Sequence, residues 1–343
     1  MQITIKTVSR LHFGFLDLTG DLGRIYGSIG IALENPKTVV TTATAEEFVI
    51  ENGDRKKILG FVEKFSKHYQ IRPKVRIRLL ERIPEHIGLG SGTQLALAIA
   101  TALAKIYGID AEARELSSIM ERGKRSGIGV ASFQYGGFIM DAGRKIVPID
   151  DLGSPPKIIL RHDFPSDWYF VVVIPETEKG LFGKKENNLM NSLKPSKKIT
   201  EEICRLAQIK LLPSLVEKDI EEFGKALTEI DLRNGRFFEE VQGGIYKGKF
   251  AKNLTEFLLG SGAYGVGQSS WGPAIYGLVD EANGQDVAQK MKDFLLRKNL
   301  GGKVFVSRCS NKGRELTIRD SKFDVGTNQR LSENTLSEDV RSF

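Results

Sequence analysis

Pro84-Glu-His-Ile-Gly-Leu-Gly-Ser-Gly-Thr93 is the stretch on which the reading of the fold turns. It follows Lys74–Ile83, where Val75, Ile77 and Leu79 alternate strictly with Lys74, Arg76 and Arg78, and it leads into the Ala/Leu-rich run Ser91–Tyr107. The alternation predicts a strand wet on one face. The small apolar run predicts a helix with Gly108 as its C′ residue. A central strand of a doubly wound sheet is buried on both faces and reads as a continuous apolar run, so this half-wet strand argues for an antiparallel or mixed sheet. Gly88, Gly90 and Gly92 let the backbone adopt positive φ and bring N–H groups close to a ligand. The helix start adds unpaired amides and the positive end of the dipole, and Ser91 and Thr93 add hydroxyls. The segment therefore reads as a phosphate-binding loop. It is not a Walker loop, because no Lys follows the glycines, and the last glycine spacing does not suit a dinucleotide fingerprint.

Outward from this loop, Gln2–Val8 and Lys37–Ile50 read as strands on either side of a glycine-punctuated segment running from Gly14 to Gly30. Arg55–Tyr69 has helical spacing at Ile58, Phe61, Val62 and Phe65. Asp110 is expected to cap a helix reaching Met120, and Phe138–Val147 to form a hairpin turning at Asp141-Ala-Gly143. The register changes at Pro155 and Pro156. Beyond it a strand at Trp168–Ile174, amphipathic helices near Thr200–Leu212, Leu215–Ile230 and Phe250–Leu259, a strand at Ala274–Val279, a helix at Val287–Leu296 and a strand at Lys303–Ser307 predict an α+β sandwich. The expectation is an α+β protein with domains at 1–157 and 158–320 and a polar, aperiodic, mobile tail at 321–343.

The 343 residues are 41% hydrophobic and 27% charged, as in an ordinary globular chain, and carry a formal charge of +7. That balance suits an anionic ligand. Lys and Arg are interspersed with Asp and Glu rather than gathered in basic runs with aromatics, so nucleic acid is not the expected partner. Cys204 and Cys309 are far apart and lack metal-ligand spacing. The opening MQITIKTVSR has no apolar core of signal-peptide length, and no apolar run is long enough to span a bilayer. A cytoplasmic location without membrane attachment is expected.

Three motifs in one order carry a resemblance to a family. Pro84-x-x-x-Gly-Leu-Gly-Ser-Gly92 resembles the second motif of the GHMP small-molecule kinases; Ser9-Arg-Leu-His-Phe-Gly14 resembles their first, and Gly262-Ala-Tyr-Gly-Val-Gly-Gln-Ser-Ser-Trp-Gly272 their third. The resemblance implies their two-domain fold, with a ferredoxin-like C-terminal half. One position departs from it. Family kinases carry Ser-Gly-Ile-Asp before a Gly-Gly pair, and that Asp takes the acceptor hydroxyl's proton or neutralises a neighbouring Lys. Here the stretch is Ser126-Gly-Ile-Gly-Val-Ala-Ser-Phe-Gln-Tyr-Gly-Gly137, with Gly129 at the Asp position. A glycine neither accepts a proton nor pairs with a cation, so ordinary phosphoryl transfer loses its base.

The combined pattern, with Gly180-Leu-Phe-Gly-Lys-Lys-Glu186, is similar to a non-kinase branch, the β-ribofuranosylaminobenzene 5′-phosphate synthases of methanopterin biosynthesis. The resemblance implies a decarboxylating transfer from phosphoribosyl pyrophosphate to 4-aminobenzoate or 4-hydroxybenzoate, with Mg²⁺ as cofactor, in a homodimer. That chemistry needs anion binding and charge neutralisation of the leaving group. It does not need a strong base, because the para donor group supplies the electrons and CO2 loss restores aromaticity. Implied donor-binding residues are Gly88, Gly90, Ser91, Gly92, Thr93, Lys124, Arg125 and Ser126. Arg10, His12 and Gln268 are the catalytic candidates; Arg24, Lys184, Ser269, Ser270 and Trp271 are candidates for substrate contact. Metal ligands are not assigned; Asp17 and Asp21 read as solvated loop acids. Two other readings stay open: a GHMP kinase recruiting a base from elsewhere, such as Asp141, and a non-catalytic sensor of a phosphorylated metabolite.

Overall fold

The computed structural model of the protein describes residues 1–146, 153–176, 190, 193 and 195–319. Among these, three sheets organise the chain. The first is ordered β14(Glu315–Arg319), β1(Gln2–Lys6), β4(Val39–Thr44), β6(Val75–Glu81), β5(Val49–Ile50). β6 alternates buried and exposed residues as its sequence does, and pairs antiparallel to β4 and parallel to β5. Its apolar face is covered by α1(Arg55–Tyr69) and by α2(Ser91–Ile106), whose residues from Gln94 to Ala104 are all buried. α1 starts at Asp54, whose carboxylate accepts from Lys57 N at 3.1 Å, a cap worth about 1 kcal/mol. The short α3(Ala113–Ile119) and α4(Ile128–Gln134) pack beside α2.

The second sheet, β2(Ser9–Asp17), β3(Arg24–Leu33), β7(Phe138–Asp141), β9(Ile158–His162), lies between the other two. The glycine-punctuated segment is thus a β-hairpin. Its glycines mark where the ladder breaks: the register shifts between His12 and Gly14, and Gly20, Gly23 and Gly27 take positive φ around the turn. Gly14, at φ +124°, lies so close to Asn234 that a Cβ would come within 2.3 Å of its amide. The third sheet, β11(Gly265–Gln268), β12(Ile275–Asp280), β10(Trp168–Pro175), β13(Gly302–Arg308), is antiparallel. On one face lies α7(Ile220–Gln242), reached through α5(Lys197–Leu206), a π-turn at 207–211 and α6(Leu212–Glu217); on the other lie α8(Ala251–Gly260) and α9(Gly284–Arg297).

One core joins the two halves. Leu11, Phe13 and Ile29 of the hairpin pack with Phe170, Tyr276 and Phe223 from the C-terminal half, and the Phe13 ring centroid lies 5.3 Å from that of Tyr276. Several sequence expectations shift accordingly. β9 follows the division placed at residue 157, yet it pairs with β7 in the N-terminal half, and β14 returns to pair with β1. β7 and the two-residue β8(Arg144–Lys145) do not pair with each other as a hairpin; both pair with β3. The helix expected from Asp110 starts at Ala113 with Glu112 as its cap. The tail 321–343 lies outside the described residues.

Candidate active site

The three motifs meet at one hydroxyl. Ser269, fully buried in the turn between β11 and β12, donates to the Gly88 carbonyl at 2.6 Å and accepts from His12 N at 3.1 Å. Arg10 Nη1 reaches the same Gly88 carbonyl and lies 3.4 Å from Ser269 Oγ. Backbone bonds reinforce the junction: Arg10 N to Leu89 O, Ser270 N to His12 O and Ala274 N to Ile87 O. Gly88 is required here. Its φ is +83°, and a Cβ would lie 2.2 Å from the Ser269 carbonyl oxygen. Gly90 at φ +81° is the N-cap of α2, and the helix's opening amides point their partial positive charge at whatever lies beyond it.

Beyond it lies a cleft of about 240 Å³ lined by Arg10, Thr93, Arg122, Lys124, Arg125 and Ser126, with Gly129 on its wall. Gln94 ties α2 to α4 by donating to the Gly129 carbonyl at 2.8 Å, so position 129 faces Thr93 at ordinary contact distance. Among the described residues lining this cleft the acid is Glu121, exposed at the rim and ion-paired with Lys64. Arg122 is half-buried over the Phe61 ring beside Gly92, and burial holds its guanidinium pKa below the usual value. The cleft is a place for an anion carrying several charges.

His12, Phe15, Ser270 and Trp271 line both this cleft and a second chamber, closed by Phe13, Asp231, Asn234, Phe238 and Tyr246. Burial, and then the charge on Arg10, lower the pKa of His12 to about 3. Its Nδ1 accepts from Gly14 N at 3.2 Å, so the neutral ring carries its proton on Nε2. Trp271 meets Phe238 edge-on, with centroids 4.7 Å apart. The chamber holds about 40 Å³, room for roughly three waters.

Not every predicted residue comes to this place. Thr93, Lys124, Arg125 and Ser126 line the cleft, while Ser91 faces a separate crevice with Thr38 and Arg82. Arg24 donates to the carbonyls of Ala142 and Gly143 and lines neither space, because its strand carries it to the far end of the hairpin. Gln268 is at the chamber, but its amide is committed to backbone: it accepts from Lys247 N at 2.7 Å and donates to Ser270 O at 3.0 Å. It shapes the turn. Lys184 lies outside the described residues. Asp141 does not supply a base. It is fully buried behind the cleft, accepting from Ser28, Gly127 and Gly143 amides, with burial raising its pKa to about 6 against those bonds. Asp17 caps its own turn, and Asp21 pairs with Lys197 at 3.1 Å. Arg122, Asp231, Asn234 and Phe238 belong to the site, yet sequence reading passed over them. Arg122 adjoins the Lys124-Arg125 pair and could have been found there; the other three are ordinary residues of an amphipathic helix.

Residues 56–137 match the GHMP kinases N terminal domain, and residues 211–296 match the GHMP kinases C terminal domain. The chain is 34% identical to the β-ribofuranosylphenol 5′-phosphate synthase of Methanothermobacter thermautotrophicus, over 91% of this chain and 98% of that protein. It is 33% identical to the enzyme of the same name from Archaeoglobus fulgidus, over 92% of this chain and all of that one. Among solved structures, the homoserine kinase of Cytophaga hutchinsonii superposes with a TM-score of 0.67 at 18% identity, covering 92% of this chain and 97% of the other, a likeness of fold.

Proposed function

The chain belongs to the GHMP kinase superfamily and sits with its β-ribofuranosylphenol 5′-phosphate synthases, and from that membership we propose that it is such a synthase, working in methanopterin biosynthesis. It joins phosphoribosyl pyrophosphate to a para-substituted benzoate and releases CO2 and pyrophosphate. The relatives' name makes the product a phenol, so 4-hydroxybenzoate is the proposed acceptor in preference to 4-aminobenzoate. One observation carries the reading: a cationic, carboxylate-poor cleft with Gly129 on its wall opens directly onto an aromatic-lined chamber.

In this assignment the donor's pyrophosphate lies at the start of α2 among Thr93, Arg122, Lys124 and Arg125. The anomeric carbon then sits where the two spaces share His12, Phe15, Ser270 and Trp271. As the C1′–O bond breaks, its electron pair leaves with pyrophosphate, and the fixed cations and helix dipole stabilise that charge without reorganising. The benzoate ring enters by parting the Phe238–Trp271 pair. Its carboxylate-bearing carbon bonds to C1′, the C–CO2 bond breaks, and the electrons restore the aromatic ring. His12 stays neutral and offers Nε2–H. The described residues include no cluster of three acids, histidines or cysteines suited to a resident metal. Mg²⁺ is therefore proposed as the companion of the donor's pyrophosphate, part of the substrate.

The test uses carboxyl-labelled 4-hydroxybenzoate with phosphoribosyl pyrophosphate and Mg²⁺. Label released as CO2 in step with pyrophosphate, without ATP, is the expected result. ADP formation from ATP with no label released overturns it. Sedimentation of the intact chain tests the homodimer that the family resemblance implies.

A further inference from the structure

Among the described residues that line the acceptor chamber, one acid is left idle by the scheme above. Asp231, on α7, is 5% exposed and lines the chamber but not the cationic cleft. Its Oδ1 accepts from Gln268 N at 3.0 Å, and the Tyr246 and Tyr276 hydroxyls stand against its carboxyl. The neighbouring side-chain amides are committed to the backbone. Asn234 accepts from Phe15 N and donates to Ile230 O, Gln242 donates to Ile245 O, and Gln268 is fixed as described. Gly267 keeps the space around the carboxyl open, because a Cβ there would lie 2.6 Å from Asp231 Cγ and 2.3 Å from the Tyr276 hydroxyl. A buried carboxyl that lines a substrate chamber is placed to accept a hydrogen bond or a proton from a ligand bound there.

We propose that Asp231 is the catalytic base on the acceptor side, taking the para-hydroxyl proton of the benzoate as its ring carbon bonds to the sugar. The inference rests on the function proposed above. The carboxylate-bearing carbon must lie at the junction with the cleft, so the para hydroxyl points to the opposite end of the ring, where Asp231 stands. When the ring π electrons form the bond to C1′, positive charge appears on the para oxygen. Its proton passes to Oδ2, leaving a neutral dienone with ribose and carboxylate on one tetrahedral carbon. The C–CO2 bond then breaks, and its electron pair flows through the ring to the para oxygen as a phenolate. The proton returns from Asp231, giving the phenol. No oxidant or reductant is needed. Burial raises the pKa of Asp231 well above the ordinary carboxylate value, which brings it toward that of the phenol it serves. The hydroxyls of Tyr246 and Tyr276 flank it.

The decisive variant is Asp231→Asn, which keeps the carbonyl that accepts from Gln268 N. Its kcat with 4-hydroxybenzoate is expected to fall about 100-fold, with the thermal shift given by inorganic pyrophosphate unchanged. A more acidic phenol, 3-fluoro-4-hydroxybenzoate, is expected to restore part of that loss, because it gives up its proton more readily; a merely structural residue would give equal losses with both acceptors. Wild-type kcat with 4-hydroxybenzoate in the variant, or equal losses with the two acceptors, overturns the proposal. If the variant does not fold, wild-type enzyme decides. 4-Methoxybenzoate, which has no proton to give, is expected to compete for the chamber without turnover, and turnover at the rate of 4-hydroxybenzoate overturns the role. Wild-type protein that releases no CO2 from 4-hydroxybenzoate overturns the function beneath the inference, a result distinct from all of these.

Discussion

Gly129 shows how much a single position can decide. It lies in α4 without positive φ, and a Cβ there would meet Thr93 no closer than 3.4 Å. The fold therefore does not demand glycine. Gly129→Ala is expected to fold and to gain about 0.5–1 kcal/mol from reduced freedom of the unfolded chain, read from urea unfolding. Gly129→Asp is also expected to fold, but to bind inorganic pyrophosphate about ten-fold more weakly by repulsion across the cleft; unchanged affinity would remove the missing carboxylate from the explanation. His12 makes a second prediction. Its folded pKa of about 3 lies below the ordinary histidine value of 6.5, so between these values the unfolded chain binds the extra proton. The neutral histidine's contribution to stability is complete above pH 6.5 and is lost as pH falls toward 3. Asp141, raised to about 6, acts in the opposite sense above pH 3.8. The comparison is therefore between wild type and His12→Asn. The wild-type curve should be steeper by up to about 1.4 kcal/mol per pH unit in that window.

At the scale of elements, the site is a meeting of ends: the start of α2, the loop before α4 and the turn between β11 and β12. Local sequence announces the first plainly, since three glycines, two hydroxyls and the start of a small-residue helix coincide at 88–93. Arg122 is signalled only by its nearness to Lys124 and Arg125. That side chain works because α1 brings the Phe61 ring beneath it, 5.2 Å from its guanidinium carbon, and α2 brings Gly92 beside it. Arg122→Met keeps the packing on Phe61 and removes the charge. It is expected to leave the thermal midpoint nearly unchanged and to weaken pyrophosphate binding about ten-fold, a loss of roughly 1.4 kcal/mol. The strands of the glycine-rich segment are likewise hidden in the local sequence. Glycine weakens strand propensity, yet here it supplies the bulge at Gly14 that lets the hairpin run beside Asn234.

Over the whole molecule, Ser269 binds the two halves where the chemistry is proposed. Ser269→Ala would leave the His12 amide without its acceptor and remove one donor from the Gly88 carbonyl. A fall of about 1–3 kcal/mol in unfolding free energy is expected. Pyrophosphate affinity should fall with it as Arg10 loses one of its contacts at the junction, so wild-type values of both in urea titration and calorimetry would deny the hydroxyl its bridging role. What the sequence alone determined is local and periodic: the half-wet strand, the anion loop, the helix at 55–69, the missing acid at 129, and the family that these motifs share. Such features follow from backbone geometry and from the alternation of apolar residues, which neighbours in the chain set among themselves. Only the tertiary structure put Ser269 against Gly88, sent Arg24 to the far end of its hairpin, buried Asp141 away from the cleft and turned Asp231 into the acceptor chamber. Those outcomes depend on which strand lies beside which and on how one core packs across two halves, and no stretch of this chain encodes that in isolation.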